Sequence, residues 1–431
     1  MPPGPPAEPA AAPLKVAVMV TLERGQKAGG HVKCWERFAE AAATLPAALD
    51  LTLHFLGDRD ETVVAAPNVR FRHHPPAFGT KSVPFLRQGG GDTDLAPRHR
   101  GLGRELPAAN LLHATDFFSF GRTALATARA RNLAVTASVH TDVPRFVGIY
   151  AGDVLAQICG RALARQMTAR FRVQDRLAAM IGRGIDRRLT GCDRVLVSKM
   201  EDHARLAAQM APGRVSFLRR GIDRLQFNPR HRDRERLARD FGIPADRPVL
   251  LFVGRIDGTK SPMTLAAAAR HLLDRGIDLQ VLAVGDGEQR QAMAALLGPR
   301  ATLPGNLPQS DLGRIYAGAD TFVFPSETEV SPNVVLEAKA SGLPVVVAAD
   351  HGGGQFVAES GRDGIVISGQ DPAAWAAAIG ALLADDVGRR AMGRAARDWA
   401  ETRWPSWLDV LREDLLPVWQ AAVAAKGGRA R

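Results

Sequence analysis

The sequence predicts two doubly wound α/β domains in tandem, and three observations carry the prediction. Short β-branched apolar runs alternate with longer amphipathic stretches, the pattern of strands buried between helices. The alternation breaks at a polar segment punctuated by Pro229, Pro244 and Pro248, then starts again. The chain has 431 residues, 46% hydrophobic and 23% charged, which is long for one domain and ordinary for two.

Residues 1–13, MPPGPPAEPAAAP, are expected as a disordered tail. The first domain, 14–222, has strand candidates at Leu14 to Val20, Leu51 to Leu56, Val69 to Arg72, Leu133 to Val139, Arg194 to Ser198 and Val215 to Leu218. A helix is expected from His31 to Leu45, where Val32, Trp35, Ala39 and Ala42 recur every three or four residues as a buried stripe. The expected linker is 223–247. The second domain, 248–398, repeats the pattern with strands at Val249 to Val253, Leu279 to Val284, Thr321 to Phe324, Val345 to Ala348 and Gly364 to Ile367. The last segment, 399–431, differs: WLDVLREDLLPVWQAAV reads as an amphipathic helix, and four of the six tryptophans lie beyond residue 398. Such a helix needs a surface to bury against and is expected to brace both domains.

Composition excludes several classes. Cys34, Cys159 and Cys192 cannot make a disulfide framework and share no metal-ligand spacing. No apolar run reaches the roughly 18 residues of a membrane span, and the first residues lack the charged start and apolar centre of a secretory signal. A reducing cytoplasm is the expected setting. The 56 basic and 45 acidic residues leave a net charge of +11, which attracts phosphates or anionic lipid. Only eight of those basic residues are lysines, so GC-rich coding explains the excess equally well. No RNA-binding sheet motif, zinc-finger spacing or basic zipper accompanies the charge, so no nucleic-acid partner is expected.

The chemistry concentrates in FVFPSETEVSPNVVLEAKASGLPVVV, Phe322 to Val347, which reads as strand, turn, helix and strand. Ser331 is expected to cap the helix, with Pro332 at its first position and Gly342 and Pro344 ending it. Glu329 then lies just before the helix and Glu337 inside it, about 12 Å apart at ~1.5 Å rise per residue. Between them, backbone N–H groups around Ser331, Asn333 and Val334 make a positive helix end suited to an anion. A carboxylate, an anion seat and a second carboxylate complement a sugar, a pyrophosphate and a ribose. Two solvated helix-terminus charges are the bland alternative. The strand ending in Gly254-Arg255 leads to Lys260, with Ser261 as helix cap and Pro262 in the first turn. Ligands collect at the carboxyl ends of such strands, so Arg255 and Lys260 stand where phosphate charge would be.

These residues resemble the retaining glycosyltransferases of family 4, through VGRIDGTKSP, AVGDGEQR, YAGADTFVFPSETE and the spacing of Glu329 and Glu337 over roughly residues 249–370. The resemblance implies the GT-B fold, two Rossmann-like domains facing across a cleft. It also implies roles. Glu329 would bind donor-sugar hydroxyls, Glu337 the ribose, and Arg255 and Lys260 the diphosphate, while Leu307 in the PGNL turn would sit near the nucleobase. In the first half, TLERGQKAGGHVKCWERFAEA resembles the family's glycine-rich loop and first helix, with Gly29 and Gly30 allowing close approach of the donor. His140 in SVHTDVPRFVGIY matches the family's active-site histidine, and Asp142 is expected to contact the acceptor. That run, with HATDFFSFGRTAL and RRGIDRLQFNPR, is similar to the subgroup that glycosylates lipids, including mannosyl- and sulfoquinovosyl-transferases. Two departures stand out: Val330-Ser331 where many members have Gly-Phe, and Arg219-Arg220 where Pro-Asn is commoner.

The resulting expectation is retaining transfer of a hexose from a UDP- or GDP-linked sugar to a hydroxyl of a lipid or other glycoconjugate. The nucleotide diphosphate sugar is co-substrate, no cofactor is needed, and no metal is expected. The nearest carboxylate pair for a divalent ion, in Asp92-Thr93-Asp94, lies in a glycine-rich loop. A basic amphipathic stretch, Arg161 to Arg188, would suit peripheral binding at the inner face of the cytoplasmic membrane. A GT-B epimerase or hydrolase, or a non-catalytic nucleotide-sugar binder, are the alternatives.

Overall fold

In the computed structural model, the structure describes residues 12–25, 29–80, 93–140, 173–329, 331–349 and 352–427. The chain divides into two compact units, Met1–Arg219 with Val410–Arg431, and Arg220–Asp409.

The first unit is built on β1 (Leu14–Glu23), α1 (Gly30–Ala43), β2 (Leu49–Leu56), β3 (Glu61–Ala66), β4 (Val69–His74), α2 (Arg100–Glu105), β5 (Leu111–Ala114), α3 (Ser119–Arg131), β6 (Ala134–Ser138), α4 (Val173–Leu189), β7 (Arg194–Val197), α5 (Met200–Ala207) and β8 (Val215–Phe217). Its described strands form one sheet in the order β3-β4-β2-β1-β5-β6-β7-β8, parallel except for the β3–β4 pair. Helices cover a parallel sheet on both faces, which is why β1 and β6 are near-continuous apolar runs rather than alternating ones. Because β1 pairs with both β2 and β5, the strand order reverses there, and the loops after β1 and β5 diverge to opposite faces.

The second unit is built on α6 (Arg234–Phe241), β9 (Val249–Val253), α7 (Pro262–Asp274), β10 (Gln280–Val284), α8 (Arg290–Leu297), β11 (Ala301–Gly305), α9 (Gln309–Gly318), β12 (Thr321–Phe324), α10 (Asn333–Ala340), β13 (Val345–Ala348), β14 (Ile365–Ile367), α11 (Pro372–Ala384) and α12 (Asp386–Arg403). The sheet order is β11-β10-β9-β12-β13-β14, all parallel. Its reversal falls between β9 and β12. The expected strands at Val249–Val253, Thr321–Phe324 and Val345–Ala348 are found with those bounds.

Three strands were not expected, each for a local reason. Strand β3 is a half-exposed antiparallel edge with a mixed pattern, β5 has four residues with His113 among them, and β11 carries Pro304 at the opposite sheet's edge. Residues 223–247, expected as a linker, instead hold a 3-10 turn at Pro229–His231 and α6 within the second unit. Helix α6 has ordinary end signals: Asp233 accepts from the Arg236 N–H, and Gly242 closes it in the left-handed region. Arg232 and Arg234 tie its start to Asp320.

The last helical segment is interrupted. It runs as α13 (Trp407–Val410), a π turn at Leu411–Leu415 and α14 (Leu416–Gly427). In the second unit, a side chain at Gly221 would collide with the Trp407 backbone at 2.5 Å, so this glycine is demanded by close packing. In the first unit, Arg219 donates to Asp414 and Glu413 of the π turn, and α14 packs on β5 and β6. Arg219, read from sequence as a mark of lipid-directed chemistry, is thus spent on an internal ion pair.

Candidate active site

In the second unit, the loops after β9 and β12 meet beside the reversal. Thr328 Oγ1 donates to the Thr259 carbonyl at 2.7 Å, stitching one loop to the other. Lys260 then reaches Glu329 in a direct ion pair, with both side chains largely buried, and Ser326 Oγ donates to the same Glu329 oxygen at 2.8 Å. Arg255 stays on its own loop, paired with Asp257 at 2.8 Å and donating to Thr259 Oγ1 at 2.9 Å. The motif glycines explain how the loops come so close. A side chain at Gly285 would lie 1.9 Å from the Gly254 carbonyl, and one at Gly287 would lie 2.3 Å from that of Ile256. Backbone bonds from Gly254 to Val284 and from Ile256 to Asp286, both 3.0 Å, complete the seam. Ser261, next to Lys260, adopts φ +51, the left-handed region, where a non-glycine residue stores strain.

Glu337 lies in the second turn of α10 and accepts from Tyr316 Oη at 3.0 Å. Tyr316 is fully buried, and burial together with the adjacent carboxylate pushes its phenol well above the ordinary range, so it remains a donor at any working pH. This support of Glu337 was not read from the sequence. An aromatic in YAGAD carries no spacing signal that pairs it with a residue 21 positions on.

In the first unit, a second constellation forms at the carboxyl ends of β1 and β6. His140 stacks on His31, with ring centroids 4.6 Å apart and planes 11° apart, and Trp35 closes over its edge at 5.7 Å. Behind it runs a buried hydrogen-bond chain. Trp419 Nε1 lies 3.2 Å from His113 Nδ1, His113 Nε2 lies 2.8 Å from Ser138 Oγ, and Ser138 Oγ lies 2.6 Å from His140 Nε2. An indole nitrogen can only donate, so His113 Nδ1 accepts and its Nε2 carries the proton. Ser138 accepts that proton, and its own hydroxyl hydrogen can be donated to His140 Nε2 when that ring is neutral. Burial, then the nearby His31, drives the pKa of His113 down to about 3, in keeping with a neutral ring.

The expected site residues therefore fall into groups. Lys260, Glu329 and the Arg255 loop come together, Gly254 lines their seam, and Glu337 stands on the following helix. Gly29 and Gly30 begin α1. Neither conformation nor packing requires glycine there, since Gly29 has φ −71 and a side chain at either would meet nothing within 4 Å. Ser331 is not the cap: α10 starts at Asn333, Pro332 occupies the cap position, and no side chain caps it. Ser331-Pro332 leads into the helix through proline's fixed φ rather than through a serine hydroxyl. Asn333 and Val334 supply the first helical N–H groups. Ser261 likewise stands at a cap position without a side-chain capping bond. Leu307 follows β11 and lines a cavity of about 230 Å³ with Phe241 and Ile315. Asp142 and residues 161–172 of the Arg161 to Arg188 stretch lie outside the described residues.

Among the described residues, the ligand atoms of His54, His74 and Glu105 lie within 4.8 Å of one another. They are engaged already: His54 Nδ1 and His74 Nε2 share a hydrogen bond at 2.9 Å, and Arg72 clasps both oxygens of Glu105. Asp94 is wholly buried and accepts from Ala77, Phe78, Ala96 and Ser119, so it serves as a loop anchor. No helix among the described residues is long and apolar enough to cross a membrane.

Comparison with known proteins agrees with this architecture. Residues 233–399 match the family model described as glycosyl transferases group 1. The D-inositol 3-phosphate glycosyltransferase 1 of Catenulispora acidiphila is 29% identical over 97% of this chain and 92% of its own length. The sulfoquinovosyl transferase SQD2 of Arabidopsis thaliana is 32% identical, over 45% of this chain and 38% of its own length. Several matched relatives, like this one, are thus spanned over less than half their length. Among solved structures, a sucrose-phosphate synthase from Thermosynechococcus elongatus superposes with a TM-score of 0.67 at 20% identity, covering 97% of this chain and 98% of the other. The lipopolysaccharide glycosyltransferase WaaG does so at 0.63 and 19%, over 96% and 100%. These likenesses carry the fold, two parallel-sheet α/β domains of the GT-B class. The match of residues 233–399 and the near full-length relative make the chain similar to the glycosyl transferases group 1 family.

Proposed function

We propose that the protein transfers a hexose from a UDP- or GDP-linked donor to a hydroxyl acceptor, a lipid or other glycoconjugate, with retention of anomeric configuration. The observation that carries this reading is the Lys260–Glu329 pair, held by loops from the two strands that flank the sheet reversal, with Arg255 on the same loop as Lys260. A donor entering there offers each partner a better match. Its sugar hydroxyls donate to Glu329, its diphosphate accepts from Lys260 and Arg255, and its ribose hydroxyls donate to Glu337 as Tyr316 orients that carboxylate. The N–H groups at Asn333 and Val334 add a positive helix end for the phosphates.

Departure of the nucleotide diphosphate is the costly step, because charge builds on the leaving oxygen. A fixed cation aimed at that charge contributes about 3 kcal/mol of barrier lowering. Two cations and a helix end supply that stabilisation without a divalent ion. Glu329 is committed to Lys260 and Ser326, which suits a positioning group better than a nucleophile. The acceptor then attacks the face from which the diphosphate leaves, and the departing phosphate takes the acceptor proton. His140 orients the sugar or shares charge near the reacting centre, and Asp142 contacts the acceptor.

The relative aligned over nearly its whole length is named for D-inositol 3-phosphate, which adds a phosphorylated polyol to the acceptors worth testing. The experiment is a thermal-shift panel of UDP and GDP sugars, followed by diphosphate release with and without lipid extract or D-inositol 3-phosphate. The reading requires one donor to stabilise the fold and an acceptor to stimulate release. Acceptor-independent release of free sugar would indicate hydrolysis or epimerase chemistry, and absence of any donor effect would refute the proposal.

A further inference from the structure

The first unit carries an arginine-lined cavity that the reaction does not use. Its volume is about 630 Å³, and Arg98, Arg122, Arg129 and Arg188 surround it over an apolar floor that includes Leu125 and Ala126. Four of these residues, at 122, 125, 126 and 129, follow the i, i+3, i+4, i+7 spacing of one face of α3. That spacing ordinarily builds an apolar stripe. Here the stripe begins and ends in a guanidinium group, and Arg188 joins it from the last turn of α4.

Among the described residues, no carboxylate forms a salt bridge with any of the four cations, although arginines elsewhere in the chain are widely paired. The acids electrostatically felt by Arg122 are Asp94 and Asp116, which act from a distance with their oxygens bonded to other donors. Asp94 accepts from three backbone N–H groups and Ser119, and Asp116 accepts from Thr21 and the Phe118 N–H. Arg122 is also held rigidly. Its Nη2 donates to the carbonyls of Leu95 and Ala96 at 3.0 and 2.8 Å, and its Nε donates to Phe118 at 3.3 Å, leaving Nη1 uncommitted. Arg188 spends Nη1 on the Gly184 carbonyl at 2.9 Å and keeps its other donors. Burial, then repulsion from Arg188, depresses the Arg122 guanidinium below its ordinary range. Like charges gathered over an apolar floor with their donors pre-aimed cost stability, and a ligand bearing negative charge relieves that cost.

We infer that this cavity binds a ligand carrying at least two phosphate charges, held by Arg122 and Arg188 at its floor and by Arg98 and Arg129 at its rim. Planar guanidinium forks match phosphate oxygens two at a time, and four forks exceed the need of a single carboxylate. The same chemistry is offered by a soluble polyphosphate and by an anionic lipid headgroup.

The test uses the full chain and two double variants. Arg98→Ala with Arg129→Ala removes two exposed rim cations that form no salt bridge among the described residues, leaving pinned Arg122 intact. Arg394→Ala with Arg403→Ala removes the same charge from exposed positions in the second unit. Calorimetry with inositol hexakisphosphate and co-sedimentation with phosphatidic acid vesicles, against phosphatidylcholine vesicles, distinguish the two sources. The rim variant should lose about tenfold in affinity for at least one probe while the charge-matched control stays within about twofold. Loss confined to the soluble probe assigns a polyphosphate, and loss confined to vesicles assigns a headgroup. Absence of binding by the unmodified chain, or equal weakening of both variants, overturns the inference.

Discussion

In the proposed reaction Lys260 and His140 both act on the donor, and each is held by a neighbour. Replacing Lys260 with Ala should lower turnover by about 10²-fold or more, because it removes both a diphosphate cation and the partner that orients Glu329. Steady-state kinetics with the identified donor checks this, and near-normal activity would take Lys260 out of the mechanism. Ser138→Ala removes the hydroxyl bonded to His140 Nε2 while leaving both rings in place. It should lower kcat by about tenfold with a smaller change in donor KM, as expected for a group that tunes a transition-state contact. An unchanged kcat would make the chain through Ser138 purely structural. The charged residues at these positions were legible because Glu329, Glu337, Arg255 and Lys260 sit at fixed distances from strand ends. The supports of Glu337 and His140 were not: Tyr316, His113 and Trp419 come from remote parts of the chain, and only strand pairing and helix docking bring them into contact.

At the scale of elements, α10 must be held firmly for Glu337 to keep its aim, and Lys339 does much of that holding. It is wholly buried, donates to the Phe356 carbonyl and to Asp363 at 2.5 Å, and lies 3.7 Å over the Trp399 ring of α12. Burial pushes its ammonium down to about 8 even beside Asp363, which measures how dry the site is. Lys339→Ala strands a buried carboxylate, and breaking such a pair costs about 3–5 kcal/mol. Chemical denaturation checks it, with a loss below ~1 kcal/mol counting against the packing described. Five of the six strands of the second unit were legible because each is a short, largely buried apolar run beside a glycine or proline, whereas half-buried β11, with Pro304 inside it, was not. Helix α6 was missed because flanking prolines and a run of arginines resemble a linker, while only a single residue of that helix, Leu237, is buried.

On the scale of the whole molecule, acid acts on the histidines buried in the first unit. The first unit buries neutral histidines, and His113 has a folded pKa of about 3 against an ordinary 6.5. Between those values the unfolded chain binds the proton and the fold does not, so stability falls as pH drops, by about 1.4 kcal/mol per pH unit for this group. Urea titrations from pH 7 to pH 5 should show that decline, and His113→Gln should lessen its slope by a similar amount. An identical slope in the variant would remove His113 from the account. The tandem architecture was legible from the restarted alternation, and the amphipathic last segment was expected to brace both domains; its chain joins the first unit from Val410 onward. The most direct test of the central claim is a crystal structure with an unhydrolysed nucleotide sugar bound. The account predicts the Lys260–Glu329 pair opened, with Glu329 on sugar hydroxyls, Lys260 and Arg255 on the diphosphate and Glu337 on the ribose; a donor bound elsewhere with that pair still clasped would contradict it.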